Sequence, residues 1–214
     1  MTYLQLVNAV MKRLRESTVT SVDQNTYSAL IGEFVNEAKR IVENAWDWEA
    51  LRSDITFNTS DGDYIYTLSG SRDRVTVLDA INDTSNKRLN YKTPQEFKNY
   101  KNLSTSSTGS PSFFTYAGFE STHTQIHVHP TPDGVYSLIF TSVIRPDDLS
   151  SDSATISIPT APVIQYATAL AARERGETGG TSAAELFGLA DRALSDAISF
   201  DAAKHPEETV FRAV

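Results

Sequence analysis

The chain has no cysteine among its 214 residues. Disulfide cross-links and thiolate metal ligation are therefore excluded, and the composition suits a reducing compartment such as a bacterial cytoplasm. Positive charge is also scarce: 19 Lys and Arg stand against 27 Asp and Glu, a net charge of −8. Sequence-independent nucleic-acid binding relies on Lys and Arg to neutralise phosphates. An acidic chain without a basic block is not built to grip DNA, although it can surround DNA without holding it. Long apolar runs are missing too. The longest mostly apolar stretch, Ala161 to Ala172, includes Gln165 and Thr168 and is too short to cross a bilayer. The opening MTYLQLVNAVMKRLRE alternates apolar and charged residues with helical period, unlike the continuous apolar core of a signal peptide. A soluble protein without a membrane partner is expected. No serine sits in a Gly-x-Ser-x-Gly elbow, and the run GETGG lacks the Lys-Ser/Thr of a phosphate loop. No internal repeat is found.

What is present is ordinary globular material, 40% hydrophobic and 21% charged, able to bury a core without help. The order is helices, strands, helices. Leu4, Val7, Met11 and Leu14 recur at helical spacing, widened by Leu6 and Val10, with Thr2 as N-cap. A second helix is expected from Thr26 to about Trp46. Tyr27, Leu30, Ile31, Phe34, Ala38, Ile41, Val42 and Ala45 form its apolar face, and Glu33, Asn36, Glu37, Arg40, Glu43 and Asn44 its polar one. From Arg52 the period falls to two. Asp61-Gly62 reads as the turn of a hairpin joining the Ile55/Phe57 strand to Tyr64–Leu68. Arg74 to Asn82 is another strand, with a turn at Asp83 to Asn86. Thr93, Pro94 and Glu96 open a short helix with a capping box, and Leu103 to Ser110 is a flexible polar loop.

Strands resume at Pro111–Phe119, Gln125–His129 and Val135–Ile144, the last two joined by the turn PTPDG, with a final short strand at Ile156 and Ile158. Helical period returns at Pro162. After a break at Gly176 to Gly180, Ser182 and Glu185 cap a last helix that presents Leu186, Phe187, Ala190, Ala193, Leu194, Ala197 and Ile198 on one face. The expectation is an α+β protein. Residues 1–50 and 160–214 form a helical bundle with a C-terminal tail. An antiparallel β-sandwich or barrel-like domain, residues 51–159, is inserted between them.

The residue types that could carry chemistry have blander readings. His127 and His129 alternate along a strand, with His123, Asp133 and Glu120 as possible third ligands for zinc. A solvent-facing row opposite buried Ile126 and Val128 is the preferred reading. Asp147 and Asp148 are adjacent, and neighbours on one strand point apart, so a solvated loop is preferred to an acid pair. The aromatics Tyr64, Tyr66, Tyr91, Phe113, Phe114, Tyr116, Phe119, Tyr136 and Phe140 read as core before they read as a sugar or base platform. Trp46 and Trp48 read as a hinge packed where helix meets strand. No catalytic, cofactor-binding or metal residue is assigned, and no cofactor is expected.

The tail is more informative. The last helix loses its stripe after Ile198, His205-Pro206 stops it, and Val210, Phe211 and Val214 form an apolar group too short to build its own core. Burying one Phe side chain is worth about 1.5–3 kcal/mol. Phe200, His205, Pro206, Val210, Phe211 and Val214 are therefore the expected contact residues for a neighbouring protein chain.

Four stretches, MTYLQLVNAVMKRLRE, NEAKRIVENAWDWEALR, IHVHPTPDGVYSLIFTSV and SDAISFDAAKHPEE, taken in this order and spacing, resemble the head-to-tail adaptor family of tailed bacteriophages. That group includes the tail tubular protein A of short-tailed phages. The resemblance implies a non-enzymatic virion subunit made in the host cytoplasm and placed at the head–tail interface. It implies a ring, usually of twelve copies, beneath the portal protein. The ring receives a tail nozzle or tail-completion protein and continues the DNA channel without specific DNA binding. The alternatives are a tail-associated peptidoglycan hydrolase, which needs converging carboxylates or a His-based metal site, and a carbohydrate-binding module, which needs several rings exposed on one face.

Overall fold

The computed structural model describes residues 1–70, 74–102, 107–121, 123–176 and 181–204, the side chains of 181–183 excepted. The chain divides into two compact units, Met1–Ala50 with Asp147–Val214, and Leu51–Pro146.

The first unit is helical. Helix α1 (Tyr3–Arg13) begins at a capping box, in which the Gln5 N–H donates to Thr2 Oγ1 at 3.3 Å and the Thr2 N–H to Gln5 Oε1 at 3.0 Å. Tyr3, Leu6, Val7, Val10 and Met11 are its buried residues, while Leu4 and Leu14 stay half-exposed. Helix α2 (Thr26–Ala45) is capped by Asn25, whose Oδ1 accepts the Ser28 N–H at 2.8 Å. Its buried face is not the one expected. Asn36, Lys39 and Glu43 are buried along with Ile31, Val35, Ala38 and Val42, whereas Ile41 and Ala45 are exposed. A count of apolar positions misses polar residues that satisfy one another, as Lys39 and Glu43 do across one helical turn.

Helix α4 (Thr160–Glu174) is buried almost all round, from Pro162 and Val163 to Ala171 and Ala172. A helix apolar on all sides belongs inside a core, and α4 packs against α1, α2 and α5 (Thr181–Ala202).

Residues 147–158 lie with the helices. The Tyr3 N–H donates to Ala154 O at 2.7 Å and the Val22 N–H to Asp152 Oδ1 at 3.0 Å. The strand expected at Ile156 and Ile158 is not formed. A single bridge joins Thr2 to Thr155, because the N-terminal segment turns into α1 at Tyr3 and offers no longer partner.

The second unit holds two four-stranded sheets. One has the order β1 (Arg52–Asn58), β8 (Ser137–Ile144), β3 (Val75–Asn82), β4 (Lys87–Arg88); the other runs β2 (Ile65–Thr67), β7 (His123–His129), β6 (Phe113–Glu120), β5 (Asn90–Tyr91). They do not close into a barrel. The expected hairpin across Asp61-Gly62 is also not formed: β1 pairs with β8 and β2 with β7, in different sheets. The alternating faces of both strands point into one core, where Phe57 stacks on Tyr66 at 5.2 Å between ring centroids. PTPDG likewise joins β7 to β8 across the two sheets rather than within one.

Pairing is not wholly antiparallel, since β5 runs parallel to β6. Only Leu89 separates β4 from β5. It is buried, and its N–H donates to Ala80 O at 2.8 Å. The chain changes sheets there, and helix α3 (Pro94–Asn102) then supplies the crossover that a parallel pair requires.

The core common to both sheets contains Ile55, Leu68, Ala80, Leu89, Phe114, Ile126, Val128, Leu138 and Phe140. Each sheet carries an irregularity, at Val77/Asp79 in β3 and at Tyr116/Gly118 in β6. The two meet: the Val77 N–H donates to Tyr116 Oη at 3.0 Å, giving the bulged backbone a partner that the ladder does not provide.

Candidate assembly surface

Helix α5 meets α4 along the stripe read from the sequence. Ala190 is buried, and Leu186, Phe187, Ala193, Leu194, Ala197 and Ile198 are half-buried. Tyr166 on α4 donates its hydroxyl to Asp191 Oδ1. Burial, followed by that carboxylate, pushes the phenol pKa up to about 12. The Arg173 guanidinium lies 5.5 Å from the Phe187 ring centroid. The expected cap at Ser182 falls on a side chain outside the described residues.

Asp201 fixes the other end of α5. It accepts the Glu49 N–H at 3.0 Å and the Lys204 ammonium at 2.9 Å. Burial pushes this carboxyl up, but Lys204 and the Glu49 N–H outweigh burial and hold it below the usual carboxylate range.

Phe200 stands beside this anchor and is 79% exposed, with Leu189 at 53%. Eleven residues separate them, three turns plus about 20°, so both rise from one edge of α5 roughly 16 Å apart. Their exposure is what a docking residue requires and what a free monomer does not. Of the other expected contact residues, His205, Pro206, Val210, Phe211 and Val214 lie outside the described residues.

The chemical alternatives gain little. His127 and His129 are not the solvent-facing row expected. Ile126 and Val128 do face the core, but the opposite side of β7 is covered by α3, whose Phe97 ring lies 5.7 Å from His127 and 6.0 Å from His129. Among the described residues no group of three His, Asp or Glu could hold a metal ion. Carboxylates do share an open groove along α2, where Glu33, Glu37 and Asp148 lie with Asn36, Arg40, Ile41 and Asn44. Arg40 Nε sits 3.4 Å from Asp148 there. Of the β-unit aromatics, Phe114 and Phe140 are core, and Phe57, Tyr66, Tyr116 and Tyr136 pack against it. Tyr91, Tyr100 and Phe119 are exposed.

The model of one family, described as SU10 adaptor protein, matches residues 1–209. The chain belongs to this adaptor family. No curated protein matches it. The match runs through both units, so helices and strands together make the adaptor. The family is structural, in keeping with the resemblance read from the sequence, and it places the adaptor among virion components of phages. No helix of the described residues is long and apolar enough to cross a membrane.

Sequence reasoning missed the polar residues that shape the adaptor's helical unit. Lys39 Nζ lies 2.9 Å from Glu43 Oε1, both side chains 1% exposed, and also donates to Asp147 O at 2.9 Å. Asn36 makes a two-way clamp on Leu149, donating to its carbonyl at 3.1 Å and accepting its N–H at 2.8 Å. The i, i+4 spacing of Lys39 and Glu43 was the available signal, but it marks exposed pairs equally well. Charge is also divided unevenly. Residues 1–50 and 147–214 hold 10 Lys and Arg against 18 Asp and Glu, while residues 51–146 hold nine of each. The whole net charge of the adaptor therefore belongs to its helical unit.

Proposed function

We propose that this chain is one subunit of the ring that joins the portal to the tail in a tailed-phage virion. The family match over residues 1–209 carries this reading. In it the helical unit is a bundle and the two sheets form a sandwich. About twelve copies assemble beneath the portal, a tail nozzle or tail-completion protein docks below, and DNA passes through without specific binding. The acidic helical unit supports the last point, because like charge repels phosphate and lets DNA slide. The exposed edge of α5 at Leu189 and Phe200, continued by the tail through Val210, Phe211 and Val214, is the portal or neighbour contact. No catalytic role enters the proposal.

The test is a truncation ending at Lys204. The monomer should keep its helix content and melting temperature, while attachment to portal-bearing, DNA-filled heads falls sharply. Normal attachment would place the docking surface elsewhere. Loss of turbidity when purified cell walls are treated with the intact protein would favour the hydrolase reading instead.

A further inference from the structure

Helix α3 meets the second sheet through rings and cations. Phe97 is buried against His127 and His129. Tyr100 stacks on Phe113 at 5.5 Å and lies 6.3 Å from the His129 ring. Lys92 Nζ sits 5.6 Å from the Tyr100 centroid and 5.5 Å from that of Phe113. Lys101 Nζ rests on the Tyr64 ring, which in turn contacts His127 at 5.1 Å. Two imidazoles thus form part of the floor under one short helix.

We propose that α3 is a pH-sensitive latch, docked on β7 while His127 and His129 are neutral and released when they take up protons.

The groups facing the two imidazoles are the reason. His127 meets Tyr64 from the segment before β2 and Phe97 from α3, with Thr115 opposite it on β6. His129 meets Phe97 and Tyr100 from α3 and Ser107 Oγ at 3.4 Å, with Phe113 opposite on β6. Among the described residues, the charged group acting on both rings is the Lys101 ammonium, of the same sign as a protonated imidazole. The nearest carboxylate on α3, Glu96, is turned to the helix start, where it accepts the Thr93 N–H at 3.1 Å. Burial, followed by Lys101, holds both imidazoles below the usual histidine range while α3 is docked. Release returns them to that range. Docking is therefore fully supported above the ordinary imidazole pKa and weakens as pH falls from there toward the docked value.

Hydrogen exchange of the full chain, corrected for the intrinsic pH dependence of exchange, tests the latch. Protection of the 95–102 amides should fall about tenfold or more between pH 7.5 and 5.0, while residues 137–144 of β8 stay protected. H127F/H129F keeps rings under the helix but cannot titrate, so protection of α3 should become independent of pH. K101M removes the opposing ammonium together with its contact on the Tyr64 ring, so protection of α3 should be lower at pH 7.5 but fall less between pH 7.5 and 5.0, which keeps the test decisive should the double variant fold poorly. Parallel loss of protection in α3 and β8, or an undiminished fall in K101M, would overturn the proposal.

Discussion

Removing the Glu43 carboxylate alone should damage the helical unit far more than removing both charges of its pair. Lys39 and Glu43 are each 1% exposed and 2.9 Å apart. In Glu43→Leu the buried ammonium loses this carboxylate, a loss of about 3–5 kcal/mol. Lys39→Met takes the ammonium from beside a buried carboxylate and should also destabilise. In the double variant K39M/E43L neither charge of the pair remains. The donor to Asp147 O is lost with them, about 1–3 kcal/mol for a buried acceptor, partly offset by two apolar side chains in the same volume. The double variant should therefore be more stable than either single one, a favourable coupling of several kcal/mol between the two sites. The assay is urea unfolding followed by tryptophan fluorescence. Both tryptophans, Trp46 and Trp48, lie in the helical unit, and the Trp48 indole donates to Val42 O at 2.8 Å, one residue from Glu43. Single variants that cost under about 1 kcal/mol, or that add to give the double, would show the pair to be solvated and refute the argument.

Gly32→Ala should destabilise by about 1–3 kcal/mol, because the added Cβ would meet Tyr3 Oη and stand 2.8 Å from Val22 Cγ1; calorimetry of the variant checks this. Asp201→Asn should flatten the acid limb of unfolding. The Asp201 carboxyl is held below its ordinary value when folded, so its contribution is present above that ordinary value and lost as pH falls through the folded one; melting curves between pH 2 and 7 read it. Phe200→Ser should leave the melting temperature of the free subunit within about 0.5 kcal/mol equivalent and lower attachment to heads, measured by sedimentation of particles with bound subunit. Full attachment would remove Phe200 from the interface.

The sequence by itself determined the features whose causes lie within a few residues. The capping boxes at Thr2/Gln5 and Thr93/Glu96 appear where side chains three positions apart can reach each other's backbone. Most strand spans of the β-unit were legible from alternation, and the inward stripe of α5 from its helical period. The exposure of Phe200 was legible because the stripe ends at Ile198. Strand partnership was not legible. Asp61-Gly62 looks the same whether the chain folds back within a sheet or crosses to the facing one, and the choice was made by β8 and β7, more than 50 residues away in sequence. The cover over His127 and His129 came from α3, which alternation along β7 cannot register. The burial of Lys39 and Asn36 goes with a carbonyl at Asp147 and a peptide at Leu149, and that of Glu43 with the Lys39 ammonium. Hydrophobic period reports which residues avoid water on their own account. Only the tertiary structure shows which polar groups are brought together closely enough to avoid it in company.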